Sequence, residues 1–557
     1  MEARRWHQSY PKGLPHDIVI NEAETLVTLL EASFGTHADL TAVTCLSETF
    51  SYADIDRLSA ALARYLRVID LRPGDRVAVM LPSCAPFVVA LAGVLRSRMT
   101  LVTINPLYTP REIEQQLADS GASLIIAAES LLPTLLPLLP RTAVRHILSS
   151  PIVGLQVTAR ELPESGQAVV CADATQELST SEMPLATALR VGATAVKRIA
   201  APKRSDAAFL QYTGGTTGVS KAAVLTHGSV CASLRQMMSW MCLSLPTTGA
   251  SIVTPLPMYH VYPLAVALLS LAMGANNRLI PNPRDLSSVI TEMTRGPFSM
   301  FIGVNTLFNA LVDAQELSLV DFSETRLVTG AGASVQGAVA RRWEAAGGPP
   351  ITEGYGLTET SPSATFNPPG RNGTIGLPVP STDARIVDDE QRDVPLGTPG
   401  ELLLRGPQLF AGYWQRPDET RNACTDDGWF RTGDIVTMDE AGFMTMVDRK
   451  KDMILVSGFN VYPNEIEGVV AGMPQVVESA CIGVTDSRCG EAPHLFVVAR
   501  DPMLTKEQVE AHCRANLAAY KVPRYISFVH ALPKSTVGKL LRRELRTAVT
   551  GSAIAPG

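Results

Sequence analysis

A segment rich in glycine and hydroxyl side chains follows a short apolar run at residues 207–210 and reads Gln211-Tyr212-Thr213-Gly214-Gly215-Thr216-Thr217-Gly218-Val219-Ser220-Lys221. Glycines let the backbone turn tightly and leave its N–H groups accessible, while the hydroxyls and the lysine add donors and positive charge. These groups suit an oxyanion, so the segment predicts a phosphate-binding loop. It is not a Walker A loop, because two residues separate Gly218 from Lys221. A solvated turn is the alternative interpretation.

The composition narrows the class of protein. The chain has 557 residues, a formal net charge of -6 and 46% hydrophobic residues, which is typical of a folded protein with two or three structural units. The negative charge argues against nucleic acid as a partner. No stretch resembles a secretory signal or a membrane span, and the nine cysteines include no Cys-x-x-Cys pair. We therefore expect a cytoplasmic protein with reduced thiols.

Strand-like and helix-like segments alternate over residues 46–127 and again over residues 251–364. Apolar strands that alternate with amphipathic helices predict parallel β-sheets covered by helices on both faces. Residues 373–446 are rich in glycine, proline and short strand patterns, which predicts a smaller β-rich unit. Residues 151–203 are less periodic, and we expect them to form a variable crossover or a surface excursion.

The pattern restarts after the charged run at residues 448–452 and predicts an α+β unit of about a hundred residues. We expect strands at residues 453–456, 494–498 and 525–529, and helices at residues 464–471 and 506–520. The predicted fold class is α/β, with a large N-terminal domain over residues 1–447 and a small mobile domain over residues 448–557. Asp448 is the candidate hinge.

Six further motifs follow the glycine-rich segment along the chain: Pro257-Met258-Tyr259-His260, Gly354-Tyr355-Gly356-Leu357-Thr358-Glu359, Arg431-Thr432-Gly433-Asp434, Asp448-Arg449-Lys450, Gly458-Phe459-Asn460-Val461-Tyr462-Pro463 and Pro533-Lys534-Ser535-Thr536-Val537-Gly538-Lys539. In order and separation, the seven motifs resemble those of the adenylate-forming superfamily of acyl-CoA ligases, luciferases and peptide-synthetase adenylation domains. The resemblance covers nearly the whole chain. Residues 303–310, 376–382 and 448–467 look most similar to bacterial long-chain fatty-acid CoA ligases.

The resemblance implies a reaction in two steps. ATP and a carboxylate form an acyl-adenylate and pyrophosphate, and coenzyme A then displaces AMP. The residues that the resemblance assigns to binding the triphosphate are Thr213, Gly214, Gly215, Thr216, Thr217, Gly218 and Lys221. Thr358 is similar to the phosphate-contacting threonine of the family, and Glu359 to its Mg²⁺ ligand, with Thr216 as a second predicted ligand. Lys539 resembles the catalytic lysine, whose ammonium reduces repulsion between the carboxylate and the α-phosphate.

Nucleotide recognition requires an aromatic face and an acceptor for the ribose hydroxyls. Tyr355 resembles the adenine-stacking tyrosine of the family, and Asp434 its ribose-binding aspartate, because a carboxylate can accept hydrogen bonds from two hydroxyls. Arg449 resembles a second ribose contact. The glycines that the resemblance assigns to the nucleotide and coenzyme A sites are Gly332, Gly354, Gly356 and Gly458. Gly458 would line the pantetheine passage, where a glycine leaves room near the backbone.

His260 precedes the apolar residues 261–269, a setting in which a histidine is often a core residue. The resemblance favours a positioning role at the junction of the acyl group and the α-phosphate. No acidic residue occurs between His260 and Asp285, and residues 301–304 add apolar lining. A pocket without a carboxylate does not suit an amino acid, whose ammonium would be unpaired. Each buried methylene contributes about 0.8 kcal/mol, which favours a long acyl chain in a deep tunnel.

The predicted activity is an ATP- and Mg²⁺-dependent ligation of a long-chain fatty acid to coenzyme A. Two alternatives stay open: a ligase of the same mechanism for medium-chain or aryl acids, and a non-catalytic binding protein with the same fold. The predicted partners are small molecules, and the predicted oligomeric state is a monomer or a homodimer. A fatty substrate is compatible with peripheral contact at the inner face of the membrane.

Overall fold

A computed structural model of the chain describes residues 4–162, 182–196, 199–213, 220–457, 459–486, 488–535 and 540–551. Within these residues the strands form sheets of nine, seven, four and five strands. The first two sheets comprise β1 (Thr41–Cys45), β2 (Glu48–Ser51), β3 (Arg76–Met80), β4 (Thr100–Thr103), β5 (Leu124–Ala128), β6 (His146–Ser150), β7 (Glu182–Pro184), β8 (Ala207–Thr213), β9 (Lys221–Thr226), β10 (Ser251–Thr254), β11 (Asn276–Leu279), β12 (Met300–Gly303), β13 (Leu327–Gly330), β14 (Ile351–Tyr355), β15 (Thr365–Phe366) and β16 (Leu377–Pro378).

Both large sheets are mainly parallel. The seven-stranded sheet has the order β7-β6-β5-β3-β4-β8-β9, and its pairs are parallel except for the β8–β9 hairpin. The nine-stranded sheet has the order β16-β15-β14-β13-β12-β10-β11-β1-β2 and is parallel from β14 to β1. The remaining pairs at its two edges are antiparallel. The predicted parallel sheets are therefore confirmed.

Helices lie between and outside these sheets. They are α1 (Leu26–Thr36), α2 (Tyr52–Val68), α3 (Ala85–Arg96), α4 (Pro110–Ser120), α5 (Leu132–Leu135), α6 (Leu185–Thr194), α7 (His227–Met241), α8 (Val261–Ala272), α9 (Leu286–Thr294), α10 (Asn305–Asp313) and α11 (Gly337–Ala345). Alternate residues of β3 enter different apolar clusters: Val77 and Val79 belong to one, Ala78 and Met80 to the other. Since successive side chains of a strand point to opposite faces, the sheet is covered on both.

Residues 151–203 connect β6 to β8 across the sheet, as expected of a crossover, but the expectation of a surface excursion is wrong where the structure describes them. This region contributes the edge strand β7 and the largely buried helix α6, which packs closely against α2. A Cβ on Gly192 would lie 1.9 Å from the carbonyl oxygen of Ala61, so the two backbones approach too closely for a side chain. The buried residues of α6, such as Leu185, Leu189 and Gly192, recur at helical spacing, so a sequence signal for this helix was present and was missed.

The predicted β-rich unit is an antiparallel sheet of four strands, β17 (Asp383–Val387), β18 (Gly400–Arg405), β19 (Phe430–Met438) and β20 (Met444–Arg449). A short helix, α12 (Pro417–Ala423), lies in the connection from β18 to β19. The strand β20 ends one residue after Asp448. The sheet therefore carries both Asp434 and Asp448 on neighbouring strands.

The last sheet comprises β21 (Ile454–Val456), β22 (Phe459–Val461), β23 (Val476–Asp486), β24 (Gly490–Ala499) and β25 (Tyr525–Phe528), with helices α13 (Pro463–Val470), α14 (Lys506–Asn516) and α15 (Arg542–Gly551). Every element predicted for this region is present, and β22, β23 and α15 are additional. The strand β20 ends at Arg449 and the last sheet begins at Ile454. The domain boundary at residues 447–448 and the mobility of the C-terminal unit stay predictions. Among the described residues, no helix has the length and apolar character needed to cross a bilayer.

Candidate active site

The predicted phosphate-binding loop joins the two strands of the β8–β9 hairpin. Thr213, the last residue of β8, lies opposite Lys221, the first residue of β9. The Ser220 hydroxyl donates a 2.8 Å hydrogen bond to the Thr213 carbonyl oxygen and so closes the base of the loop. The predicted site residues Gly214, Gly215, Thr216, Thr217 and Gly218 lie outside the described residues. The structure thus fixes both ends of the loop at one edge of the parallel sheet.

The strand β8, which leads into the loop, is hydrogen-bonded to the turn that carries His260. The buried Gln211 donates a 2.7 Å hydrogen bond to the Tyr259 carbonyl oxygen, and the Thr103 hydroxyl donates a second at 3.0 Å. His260 itself is the residue that precedes α8, and its ring lies 4.8 Å from that of Tyr259. The structure therefore brings the end of β8, after which the predicted phosphate loop begins, close to the turn that carries the predicted acyl-positioning histidine.

Glu359 lies in a short 3-10 turn, Thr358–Thr360, that follows β14. Its side chain is almost fully buried, and the Tyr413 hydroxyl donates a 2.7 Å hydrogen bond to its Oε1. Burial raises the pKa of the Glu359 carboxyl above its ordinary value, because the hydrogen bond from Tyr413, a backbone hydrogen bond and the charge of Arg449 offset only part of the lost hydration. A buried carboxylate with so few donors is suited to a cation.

Lys221 lies beside the same tyrosine. Its ammonium is 5.4 Å from the centre of the Tyr413 ring and forms an ion pair with Glu419 of α12. Tyr413 reaches this position because residues 411–414 pair with β9, where the Trp414 backbone N–H donates a 2.8 Å hydrogen bond to the Ala222 carbonyl oxygen. Lys221 and Glu359, from two separate motifs, thus lie near the same side chain, Lys221 over the Tyr413 ring and Glu359 at its hydroxyl.

Tyr355, Asp434 and Arg449 form a second group. The Tyr355 hydroxyl donates a 2.6 Å hydrogen bond to Asp434 Oδ2, and Arg449 Nε lies 3.4 Å from Asp434 Oδ1. Asp434 and Arg449 are cross-strand partners on β19 and β20, which sets their separation. Burial and the neighbouring Asp434 carboxylate both raise the pKa of the Tyr355 hydroxyl. The charge of Arg449 lowers and that of Asp434 raises the pKa of Glu359, so the two groups lie within electrostatic range of each other.

At each glycine that the resemblance assigns to the nucleotide site, the fold itself disfavours a larger residue. Gly332 has a φ of +80°, which an L side chain rarely adopts, and it follows β13. A Cβ on Gly354 would lie 2.6 Å from the Phe366 ring, and one on Gly356 would lie 1.5 Å from the Pro362 carbonyl oxygen. Close packing therefore requires glycine at positions 354 and 356. Their contact with a nucleotide stays a prediction.

A buried carboxylate that the sequence analysis did not single out joins these turns. Glu353 of β14 accepts hydrogen bonds from the backbone N–H of Val335 at 2.8 Å and of Gly373 at 2.6 Å. Burial raises the pKa of Glu353, although both backbone donors oppose the shift. Glu353 thereby holds the segment that contains Gly332 against the strand that leads to Tyr355.

The predicted acyl region is apolar in the structure. The helix α8 is buried over most of its length, and Phe301 and Ile302 of the neighbouring β12 are fully buried. Among the polar groups here, the Tyr262 hydroxyl lies 2.7 Å from the Thr329 hydroxyl, so the two satisfy each other. Neither α8 nor β12, the two elements predicted to line the acyl region, carries a charged side chain.

Asp448 has no exposed surface and accepts hydrogen bonds from the backbone N–H of Asn464 at 2.8 Å and of Arg449 at 2.7 Å. Burial raises the pKa of this carboxyl to about 6. The neighbouring Arg542, at the start of α15, donates to Glu467 of α13 at 2.8 Å. Asp448 thus connects β20 to α13, the helix that follows the first two strands of the last sheet. The predicted site residues Gly458 and Lys539 lie outside the described residues.

Three residues of the site were missed by sequence analysis: Glu353, Tyr413 and Glu419. The weak signal for Glu353 is its place directly before the Gly354-Tyr355-Gly356 motif. Tyr413 and Glu419 carry no comparable mark, because only the pairing of residues 411–414 with β9 brings them to Lys221.

Comparison with known proteins identifies the family of the chain. Residues 30–414 match the family described as AMP-binding enzyme, and residues 465–539 match the AMP-binding enzyme C-terminal domain. The chain is 46% identical to a long-chain-fatty-acid–CoA ligase from Yersinia pestis, with 97% of each chain covered. It is 44% identical to the ligase of that name from Escherichia coli, with 98% of each covered.

A solved structure is similar over the same length. The ATP-bound MatB from Rhodopseudomonas palustris superimposes with a TM-score of 0.82 at 26% identity, and the match covers 94% of this chain and 98% of that one. Its likeness extends over both the large sheets and the C-terminal unit, as the coverage requires. The family match spans more than half of the chain, and the similarity to the ligases spans nearly all of it. The chain therefore belongs to the family of AMP-binding enzymes.

Proposed function

We propose that the chain is a ligase that uses ATP and Mg²⁺ to join a long-chain fatty acid to coenzyme A. The observation that carries the proposal is the convergence of Tyr355, Asp434 and Arg449 beside Glu359 and Lys221. These five residues come from four separate motifs and supply an aromatic ring, a ribose acceptor, an oxygen ligand and cations. This is the set that an adenosine triphosphate requires.

ATP would bind with its adenine against Tyr355 and its ribose hydroxyls on Asp434. The hydrogen bond from Tyr355 and the approach of Arg449 already hold the Asp434 carboxylate in one orientation. A preorganised acceptor costs little further ordering when the ribose arrives. The triphosphate would then extend towards Lys221 and the loop between β8 and β9, with Thr358 as a further phosphate contact.

The residues present fit a magnesium ion. Mg²⁺ prefers hard oxygen ligands and is often held by one or two carboxylates together with substrate phosphates. Glu359 supplies a buried carboxylate, and burial raises its pKa despite the hydrogen bond from Tyr413 and the charge of Arg449. When bound, the ion would neutralise charge on the triphosphate. Thr216, which lies outside the described residues, stays a second predicted Mg²⁺ ligand.

The proposed reaction has two displacements. In the first, a carboxylate oxygen of the fatty acid attacks the α-phosphorus, and the bond to the pyrophosphate oxygen breaks. Lys539 is proposed to bridge the two anions, and His260 to position the acyl carboxylate. In the second, the coenzyme A thiol loses its proton to solvent and its sulfur attacks the acyl carbon, while the carbon–oxygen bond to AMP breaks. Gly458 is proposed to leave room for the pantetheine.

The preference for a long acyl chain rests on two supports. The wall of α8 and β12 contains buried apolar side chains such as Phe301 and Ile302. Each methylene buried against such a wall adds about 0.8 kcal/mol of binding free energy. The relatives at 44–46% identity are named for long-chain fatty acids.

A rotation of the C-terminal unit between the two steps is part of the proposal. Asp448 would be the pivot, since it lies where β20 ends and the last sheet begins. The rotation would exchange Lys539 for Gly458 at the acyl carbon. Cytoplasmic location, peripheral membrane contact and a monomeric or homodimeric state stay predictions.

The test is ATP–pyrophosphate exchange by the purified full chain with palmitate, followed by addition of coenzyme A. We expect exchange that requires both palmitate and Mg²⁺, and palmitoyl-CoA with AMP once coenzyme A is present. Exchange only with medium-chain or aryl acids would assign the chain to the first alternative. No exchange with any acid, in a preparation that binds ATP, would identify a non-catalytic binding protein.

A further inference from the structure

The ion pair between Lys221 and Glu419 has no part in the reaction described above. Lys221 is the cation that the predicted loop offers to the triphosphate, yet its ammonium contacts the carboxylate of Glu419. The two side chains are 21% and 34% exposed, but Glu419 Oε2, the oxygen that contacts the ammonium, is itself buried, so a ligand would reach the pair from the side of Lys221. A cation already paired with a carboxylate is partly neutralised towards a second anion.

The fold holds Glu419 in this place. Residues 411–414 extend the sheet beyond β9, and the Tyr413 backbone N–H donates a 2.9 Å hydrogen bond to the Thr420 hydroxyl of α12. The backbone of Gly412 lies so near Thr420 that a Cβ would approach its Cγ2 to 2.8 Å. Both contacts fix α12, and with it Glu419, relative to the first residue of β9.

Another cation in the neighbourhood is engaged elsewhere. Arg416 Nε is 4.0 Å from Glu419 Oε1, whereas Arg416 Nη2 donates a 2.6 Å hydrogen bond to Asp119 Oδ1. Asp119 also accepts a hydrogen bond from Tyr212 at 2.7 Å. Arg416 is thus directed towards Asp119, which leaves Lys221 as the closer partner of Glu419.

We propose that Glu419 competes with the phosphate groups of ATP and of pyrophosphate for Lys221. This inference rests on the proposed function. When ATP binds, the triphosphate must displace the carboxylate or share the ammonium with it. When the bond to the α-phosphate has broken, Glu419 recaptures Lys221 and lowers the affinity for the leaving pyrophosphate. The residue is therefore a built-in competitor that limits product retention at the cost of ATP affinity.

The test substitutions are Glu419→Gln, which removes the charge and keeps the size, and Glu419→Ala, which keeps a good helix former. The matched control is Asp418→Asn, which removes a charge one residue away. The Asp418 side chain is 80% exposed and pairs with Arg421. Thermal unfolding of the three variants identifies any loss of the fold. At least one Glu419 variant is expected to unfold within a few degrees of the wild type.

Two measurements separate this inference from the proposed function. The dissociation constant for ATP with Mg²⁺, measured by calorimetry without a fatty acid, should fall about fivefold in both Glu419 variants, and the inhibition constant of pyrophosphate in the forward reaction should fall by a similar factor. Asp418→Asn should leave both constants unchanged. Weaker ATP binding in the Glu419 variants would mean that Glu419 orients Lys221, and unchanged constants would mean an incidental pair. Either result overturns the inference, whereas a wild type without turnover overturns the proposed function.

Discussion

The Tyr355 hydroxyl donates a 2.6 Å hydrogen bond to the carboxylate of Asp434, although 79 residues separate the two along the chain. Arg449 approaches the other carboxylate oxygen at 3.4 Å. Asp434 is only 2% exposed, so its carboxylate is buried but supported on both oxygens. An acceptor for ribose is therefore oriented before a nucleotide binds, and it is oriented by the residue proposed to stack on the adenine.

Replacing Asp434 with asparagine should weaken ATP binding by about tenfold or more, because a neutral amide cannot accept two charge-assisted hydrogen bonds from the ribose. Calorimetric titration with ATP measures the change, with Glu440→Gln at an exposed turn beyond β19 as the control. A titration with 2′-deoxy-ATP should show a smaller loss of affinity in the variant than in the wild type. Equal ATP affinity in variant and wild type would remove Asp434 from the site.

Glu359→Gln should raise the Mg²⁺ concentration needed for half-maximal pyrophosphate exchange by about tenfold, since an amide oxygen is a much weaker ligand than a carboxylate. Tyr413→Phe is the matched control: it removes the 2.7 Å hydrogen bond to Glu359 but keeps the carboxylate. Exchange by this control should retain the Mg²⁺ dependence of the wild type. A Glu359→Gln curve that coincides with the wild type would exclude Glu359 as the ligand.

The parallel core of the fold could be predicted because its strands are short, continuous apolar runs such as residues 124–128. The strand β23 could not, because Glu478, Ser479 and Gly483 interrupt its apolar pattern. Its pairing with β24 along ten positions stabilises it instead. Long-range pairing of this kind decides the structure where local pattern is weak.

The candidate site likewise contains residues that a local motif predicts and residues that only long-range pairing brings together. Lys221, Glu359 and Asp434 lie in motifs whose residue types suggest phosphate, metal and ribose chemistry. Glu419 is a single acidic residue in the helix α12, and nothing in its sequence neighbourhood distinguishes it from Asp418. Its relation to Lys221 depends on a strand pairing between segments almost two hundred residues apart.

Asp448→Asn should change the pH dependence of stability. The pKa of Asp448 is raised from 3.8 in the unfolded chain to about 6 in the fold, so the protonated form is favoured there. The contribution of protonated Asp448 to the free energy of unfolding is complete below pH 3.8 and is lost as the pH rises through 6. The total loss is about 3 kcal/mol. The wild-type free energy of unfolding minus that of Asp448→Asn should therefore fall between pH 4 and 7.

Denaturation of both proteins at closely spaced pH values measures this difference, and the exposed Asp426→Asn controls for removal of a carboxyl. A difference that stays constant from pH 4 to 7 would contradict the assigned environment of Asp448. A rise with pH would mean that the carboxylate form is favoured in the folded protein, through its two backbone hydrogen bonds.

Arg542→Met should impair adenylate formation more than thioester formation from supplied acyl-adenylate. Arg542 holds the start of α15 against Glu467 and lies three residues after Lys539. Loss of this anchor should allow the proposed catalytic lysine to adopt other positions, which reduces its rate contribution. Arg543→Met, at an exposed position of the same turn, is the control. Equal losses in both half-reactions would indicate general damage to the C-terminal unit.

The central claim is the ligation of a long-chain fatty acid to coenzyme A. It is tested most directly by measuring coenzyme A-dependent AMP release with fatty acids from acetate to stearate and with benzoate. We predict that kcat/KM rises with chain length by about fourfold for each methylene that the apolar pocket buries, up to palmitate or beyond. A maximum at short or aryl acids, or no AMP release with any of them, would contradict the account.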